Sequence, residues 1–153
     1  SNLLDGFAHF YDTYECKDNK FIAVGSIEPQ FYSELLEKLE IDDKKFLDQY
    51  NKELWPELKG LIALKIKSKT RYEWNEIFSE SDACVTPVLD MQEAQDHPHN
   101  VSRKAFINID GFNQPNASPR YSKTKLEIKH NAKEVGVDLD DICDEFNISK
   151  EAF

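Results

Sequence analysis

The stretch Tyr14-Glu15-Cys16-Lys17-Asp18-Asn19-Lys20-Phe21-Ile22-Ala23-Val24-Gly25-Ser26-Ile27-Glu28-Pro29-Gln30-Phe31-Tyr32 compresses two strands, a turn and a helix start into nineteen residues. Phe10 to Glu15 and Phe21 to Ile27 are rich in aromatic and β-branched side chains, which favour extended backbone. They flank Lys17-Asp18-Asn19-Lys20, whose Asp-Asn pair tolerates the positive φ of a tight turn, so the segment predicts a β-hairpin. Pro29 suits the first turn of a helix, and Phe31, Tyr32, Leu35, Leu36 and Leu39 follow at helical spacing, predicting a helix from Pro29 to Leu39. Glu28 stands where a helix cap is normally a shorter polar residue. That misfit makes Glu28 the candidate for chemistry.

Working outward, Asp42 to Tyr50 is charged with a few apolar anchors and reads as a short helix. Trp55-Pro56 opens a longer one with Leu58, Leu61, Ile62 and Ile66 along one stripe. Thr70 then caps Arg71 to Phe78, with Glu73 completing a Thr-x-x-Glu capping box. Ala83 to Leu89 predicts a short strand ended by Pro87, and Asp90 caps a brief helix through Gln95. Beyond Pro98, Ala105 to Ile109 predicts a strand, Asp110-Gly111 a turn, Pro115 to Pro119 an irregular segment, and Ser122 to Lys129 a basic linker. Val135, Leu139, Ile142 and Phe146 predict a helix over Asn131 to Phe146, weakened in its first half by Gly136. Mixed, largely segregated elements define an α+β chain.

A chain of 153 residues supports one domain with its own core, and 40% hydrophobic with 31% charged residues is the composition of a folded globular protein. The formal charge of −10 excludes a phosphate-coating surface, because such binding needs a basic face to displace counterions; neither nucleic acid nor an acidic membrane is an expected partner. Cys16, Cys84 and Cys143 stand far apart with no CxxC pair, giving neither a disulfide framework nor a zinc pattern, and read as reduced thiols in an intracellular compartment. No apolar run approaches the roughly 18 residues of a membrane span, and the N-terminus lacks the order of a signal peptide. The start on Ser1-Asn2, without Met, reads as that of a piece of a longer protein.

Leu4-Asp5-Gly6, Phe10-Tyr11-Asp12-Thr13-Tyr14, Val24-Gly25-Ser26-Ile27-Glu28-Pro29-Gln30-Phe31-Tyr32, Trp55-Pro56-Glu57-Leu58, Ser81-Asp82-Ala83-Cys84-Val85-Thr86-Pro87-Val88-Leu89 and His97-Pro98-His99-Asn100 occur in that order. Together they resemble the α-methylacyl-CoA racemases, which belong to the CaiB/BaiF or family III CoA-transferase superfamily. The resemblance covers most of Leu3 to Ser122; it is loosest over Lys123 to Lys129, where the family's proline-rich loop is shortened. It implies the small α+β domain over residues 1–122, then over 123–153 a linker and C-terminal helix that packs on a large domain outside this chain or on the small domain. It also implies an interlocked homodimer in the full-length enzyme, with the active site formed against the partner's small domain.

The activity so implied interconverts (2R)- and (2S)-2-methylacyl-CoA thioesters. The α-proton is removed, an enolate forms, and reprotonation follows on the other face. A two-base mechanism needs an acid and a base on opposite sides of the α-carbon, and the family supplies a His and an Asp from the large domain. None of His9, His97, His99 or His130 stands in the place of that catalytic His, so none inherits its role. The family's further carboxylate is Glu28 here, implied to hydrogen-bond that His, fix its tautomer and favour its imidazolium form. No cofactor is implied beyond the CoA-thioester substrate, and peroxisome or mitochondrion is the implied location, although Glu151-Ala152-Phe153 is not a peroxisomal tripeptide of the Ser-Lys-Leu kind.

Blander readings stand beside these. Glu28 can be a solvated charge favoured by the helix dipole, and Asp12 and Glu15 strand-surface charges. His97 and His99 lack the third and fourth ligands a zinc site needs and read as loop residues, so no metal is expected. Cys84, between apolar neighbours, reads as a buried small hydrophobe without a basic group to activate it. The aromatics of the hairpin and first helix read mostly as core, and Lys123, Lys125 and Lys129 as a solvated linker. Two other functions fit the same residues: a family III CoA-transferase small domain, whose aspartyl intermediate lies on the large domain, and a non-catalytic acidic interaction module.

Overall fold

The structure, a computed structural model, describes residues 2–149; the Ser1 start and the Glu151-Ala152-Phe153 terminus lie outside the described residues. The chain divides into two compact units, Ser1–Leu89 and Asp90–Phe153.

In the first unit the hairpin forms as its turn residues dictate. Strands β1 (Tyr11–Glu15) and β2 (Phe21–Gly25) pair antiparallel with Thr13 opposite Ala23, and Asn19 takes the left-handed φ of 59°. Strand β3 (Val85–Pro87) adds to the other side of β2, so the order is β1-β2-β3. Alternation then sorts the side chains: Tyr14, Ile22 and Val24 are buried on one face, while Thr13, Ala23 and Thr86 lie on the other.

The buried face is covered by helices. Helix α1 (Pro29–Lys38) contributes Tyr32 and Leu35, and Leu39 at its C-cap is also buried. A single 3-10 turn, Lys44–Leu47, inserts Phe46; the short helix expected over Asp42 to Tyr50 is reduced to this turn. Helix α2 (Trp55–Ile66) buries Trp55, Leu58, Ile62 and Ile66. Leu61 departs from the predicted stripe, because at 100° per residue it lies at the edge of that face, and it is 37% exposed. Helix α3 (Arg71–Phe78) starts with the full capping box: Thr70 Oγ1 accepts from the Glu73 amide and the Glu73 carboxylate accepts from the Thr70 amide. It buries Trp74, whose indole N–H donates to the Ile66 carbonyl at 2.7 Å.

The core is aromatic at its centre. Phe10, His9, Tyr32, Phe46 and Trp55 meet mostly edge-to-face at centroid separations of 5.1–6.0 Å, the arrangement that ring quadrupoles prefer.

In the second unit Asp90 caps α4 (Met91–Asp96), as its sequence predicts, and Glu93 closes a reciprocal capping box that was not expected. Helix α5 (Pro98–Ser102) follows, then a hairpin of β4 (Phe106–Ile109) and β5 (Phe112–Pro115) around Asp110-Gly111, both at positive φ. Neither α5 nor β5 was expected. Pro115 carries no amide hydrogen, which a terminal strand position tolerates. The helix expected over Asn131 to Phe146 is shortened to α6 (Leu139–Phe146), since Gly136 takes a left-handed φ of 89° and breaks the preceding half. No helix among the described residues is long and apolar enough to cross a membrane.

Candidate functional site

Glu28 occupies the N-cap of α1 in extended backbone, φ −73° and ψ 143°, and makes no side-chain capping hydrogen bond. Two features relieve it of that task. Glutamate is one methylene too long for a good cap, and Pro29 at the helix start has no amide hydrogen to satisfy. The carboxylate is solvent-exposed at the positive end of a ten-residue helix.

The backbone leading to it is held much more firmly than the side chain. Ser26 is fully buried: its amide donates to the Phe10 carbonyl at 3.0 Å and its hydroxyl to the Ala83 carbonyl at 2.5 Å. The buried Gln49 amide donates to the carbonyls of Ser26 and Ile27 at 3.1 and 2.9 Å, and the Tyr50 hydroxyl donates to Ile27 at 2.7 Å. Sequence periodicity did not reveal Gln49 or Tyr50, because a polar residue in a charged loop carries no periodic signal. Their partners are main-chain carbonyls, which leave no trace in side-chain patterns.

Beside Glu28 lies the loop before β3. Cys84 is exposed and in left-handed backbone at φ 55°, contrary to the buried hydrophobe expected from its apolar neighbours. The pairing explains this: the Cys84 carbonyl receives the Gly25 amide at 2.9 Å, so a kink at Cys84 brings its main chain onto β2 while its thiol stays outside. Partial burial, then the negative charges of Glu28, Asp82 and Glu34, push its thiol pKa above the ordinary value. Glu34 also accepts the Asp82 amide at 3.1 Å, tying α1 to this loop. In the native protein Cys84 is expected to be the first of Cys16, Cys84 and Cys143 to react with a thiol reagent, because the other two are buried, yet more slowly than a free thiol. Peptide mapping after timed alkylation checks this; equal labelling of all three without denaturant would contradict it.

Cys84 and Thr86 line an open concavity of about 550 Å³ on the sheet face away from the core, floored by Thr13, Ala23 and Gly25. At its edge Asp12 pairs with Lys59, whose ammonium also donates to the Gly6 carbonyl at 2.6 Å. Asp12 is therefore more than a loose strand-surface charge. Glu15 likewise pairs with Lys67, at 2.9 Å.

The histidines lie elsewhere. His9 is fully buried on the core side, with Nε2 2.7 Å from the Tyr32 hydroxyl, and burial lowers its pKa to about 4. It is a neutral core residue. His97 caps α5 and His99 lies within it, while His130 is exposed. Among the described residues no group of three His, Cys, Asp or Glu side chains is assembled for a metal ion. The site thus offers a solvent-exposed carboxylate, with no capping hydrogen bond, on a fixed backbone; such a group can accept a hydrogen bond from a neighbouring donor.

Comparison with known proteins defines the class: the CoA-transferase family III model matches residues 3–138, and the chain belongs to that family. Its relatives include the mouse α-methylacyl-CoA racemase, 40% identical over 153 residues, and the human enzyme, 39% identical over 155 residues. Each alignment takes in 98% of this chain but 40% of the racemase, so the chain spans about two fifths of those relatives' length. Among solved structures, the Mycobacterium tuberculosis protein Rv3272 superimposes with a TM-score of 0.67 over 80% of this chain and 35% of its own. At 16% identity that likeness bears on the α+β fold alone.

Proposed function

We propose that this chain is the small-domain and C-terminal part of an α-methylacyl-CoA racemase. Residues 1–122 form one wall of the active site, and 123–153 form the linker and terminal helix. The whole enzyme interconverts 2-methylacyl-CoA epimers by α-proton removal and reprotonation through an enolate. The His/Asp pair that moves the proton comes from the large domain, the CoA thioester is the substrate, and no cofactor is required. The full-length enzyme is an interlocked homodimer of peroxisomes or mitochondria, acting in branched-chain fatty acid metabolism.

The observation that supports this best is the uncapped Glu28 carboxylate on a backbone pinned by Ser26, Gln49 and Tyr50. Such a group orients and charges a neighbouring imidazole and abstracts no proton itself. In the protein joined to its large domain, Glu28→Gln is expected to cut turnover about a hundredfold and to shift the pH profile of the acid–base pair. Stability should stay within about 0.5 kcal/mol, because the exposed side chain makes no cap bond. Unchanged turnover and pH profile would remove Glu28 from the mechanism. The isolated chain is expected to leave the α-proton of a 2-methylacyl-CoA unexchanged in deuterium oxide, and exchange above the buffer rate would defeat the assignment of the proton-transfer pair to another domain. Transfer of CoA to an added carboxylate without α-exchange, by the full-length protein, would favour a family III transferase instead.

A further inference from the structure

Helix α2 carries more apolar surface than the core uses. Its inward side is Trp55, Leu58, Ile62 and Ile66. At 100° per residue the outward side gathers Glu57, Gly60, Leu61, Leu64 and Lys67, and Leu64 is 74% exposed. These residues line an open groove of about 620 Å³ with Ala63. Nothing lies within 4 Å of the position a Gly60 Cβ would take. Packing among the described residues of the first unit therefore does not account for a helix-interior glycine, which costs about 1 kcal/mol relative to alanine.

The pattern is self-complementary. Turned by a twofold axis passing at the height of Ile62, α2 meets its copy antiparallel, and residues along the middle of the face equidistant from position 62 oppose one another. Gly60 then opposes Leu64 of the second copy, a notch against a knob, and on one flank Leu61 meets Leu61 of the second copy. At the two ends Glu57 opposes Lys67, so opposite charges meet twice. Both ends are already half-exposed ion pairs, Glu57 with Lys45 and Lys67 with Glu15; a carboxylate and an ammonium each have capacity for a further partner.

We propose that this face is a self-association surface, on which two copies of the chain pair their α2 helices antiparallel, Leu64 entering the Gly60 notch of the other. The inference stands on α2 alone and is independent of the proposed racemase activity. A single pair of three-turn faces falls at the small end of specific interfaces, below about 1,200 Å², so the dimer is weak and reversible.

Sedimentation velocity over a concentration series of this chain, at low ionic strength, tests it. The chain is expected to shift from monomer to dimer as concentration rises, and Leu64→Asp to weaken the shift at least tenfold. Circular dichroism melts of the variant should match the parent, since Leu64 is exposed. The charge pair supplies the sharper arm. Glu57→Lys and Lys67→Glu should each weaken dimerisation, and the double variant should recover it. Within one copy the double variant still sets like charges together, a lysine against Lys45 and a glutamate against Glu15, so recovery can arise only across the interface. A monomer at every concentration would overturn the proposal and assign the face to another occupant, such as a further domain. A dimer indifferent to Leu64→Asp, or no recovery in the double charge variant, would overturn it equally.

Discussion

Trp55→Ala is expected to lower the unfolding free energy by about 3–5 kcal/mol, the range for removing a large aromatic from a packed core. Trp55 is fully buried, stands 5.6 Å from Phe10 and 5.9 Å from Phe7 between ring centroids, and donates its indole N–H to the Gln49 carbonyl at 2.8 Å. Alanine leaves both a cavity and a carbonyl without its donor, and the two costs add in the same direction. Domains of this kind have about 5–15 kcal/mol in total, so a large part of the margin is at stake. Urea melts compare the variant with Leu47→Ala, whose side chain is 81% exposed and whose expected effect is within about 0.5 kcal/mol. Similar midpoints for the two variants would refute the placement of Trp55 at the centre of the core.

The second large effect is acid sensitivity set by His9. Its pKa is lowered from 6.5 to about 4 by burial, and Nδ1 has no hydrogen-bond partner among the described residues. The unfolded chain takes up a proton on this ring as pH falls through 6.5, whereas the folded chain resists until about 4. Stability contributed by neutral His9 is therefore full above pH 6.5, falls through the window from 6.5 to 4, and is lost by about 3 kcal/mol at its lower end. The double substitution His9→Phe with Tyr32→Phe removes the titrating ring together with the hydroxyl it bonds, leaving no orphaned partner. Melts at pH 7 and pH 4.5 should show a clearly smaller loss for the double variant than for the parent. Parallel losses would mean that His9 is already protonated in the fold.

Local chemistry explains which parts of the molecule were legible in advance. The hairpin turn, the Thr70 capping box, the Asp90 cap and the Pro29 helix start each depend on residues within four or five positions of one another, so spacing alone identifies them. Non-local contacts decided the rest. Cys84 looked apolar by its neighbours, but the Gly25 amide draws its carbonyl inward and turns the thiol out. Leu61 matched the helical stripe of α2, yet the core covers only the side centred on Leu58, Ile62 and Ile66. Strand β5, with two Asn, a Gln and a Pro in its neighbourhood, has poor strand propensity and exists through its pairing with β4. For the site, the position of Glu28 was visible as an ill-fitting cap, while the groups that fix its backbone were not.

Gln49 joins regions that chain order keeps apart: its amide holds the carbonyls of Ser26 and Ile27, and its own carbonyl receives the Trp55 indole. A residue gripped on both sides cannot release one partner without loosening the other. The amides of Tyr32, bonded to Glu28, and of Leu58, bonded to Leu54, are therefore expected to exchange as one cooperative opening unit rather than as two independently fraying helix ends. Fraying is the ordinary behaviour of a first helical turn, and protection of the Tyr32 amide above that of a frayed end is the exchange result expected at the turn that follows Glu28.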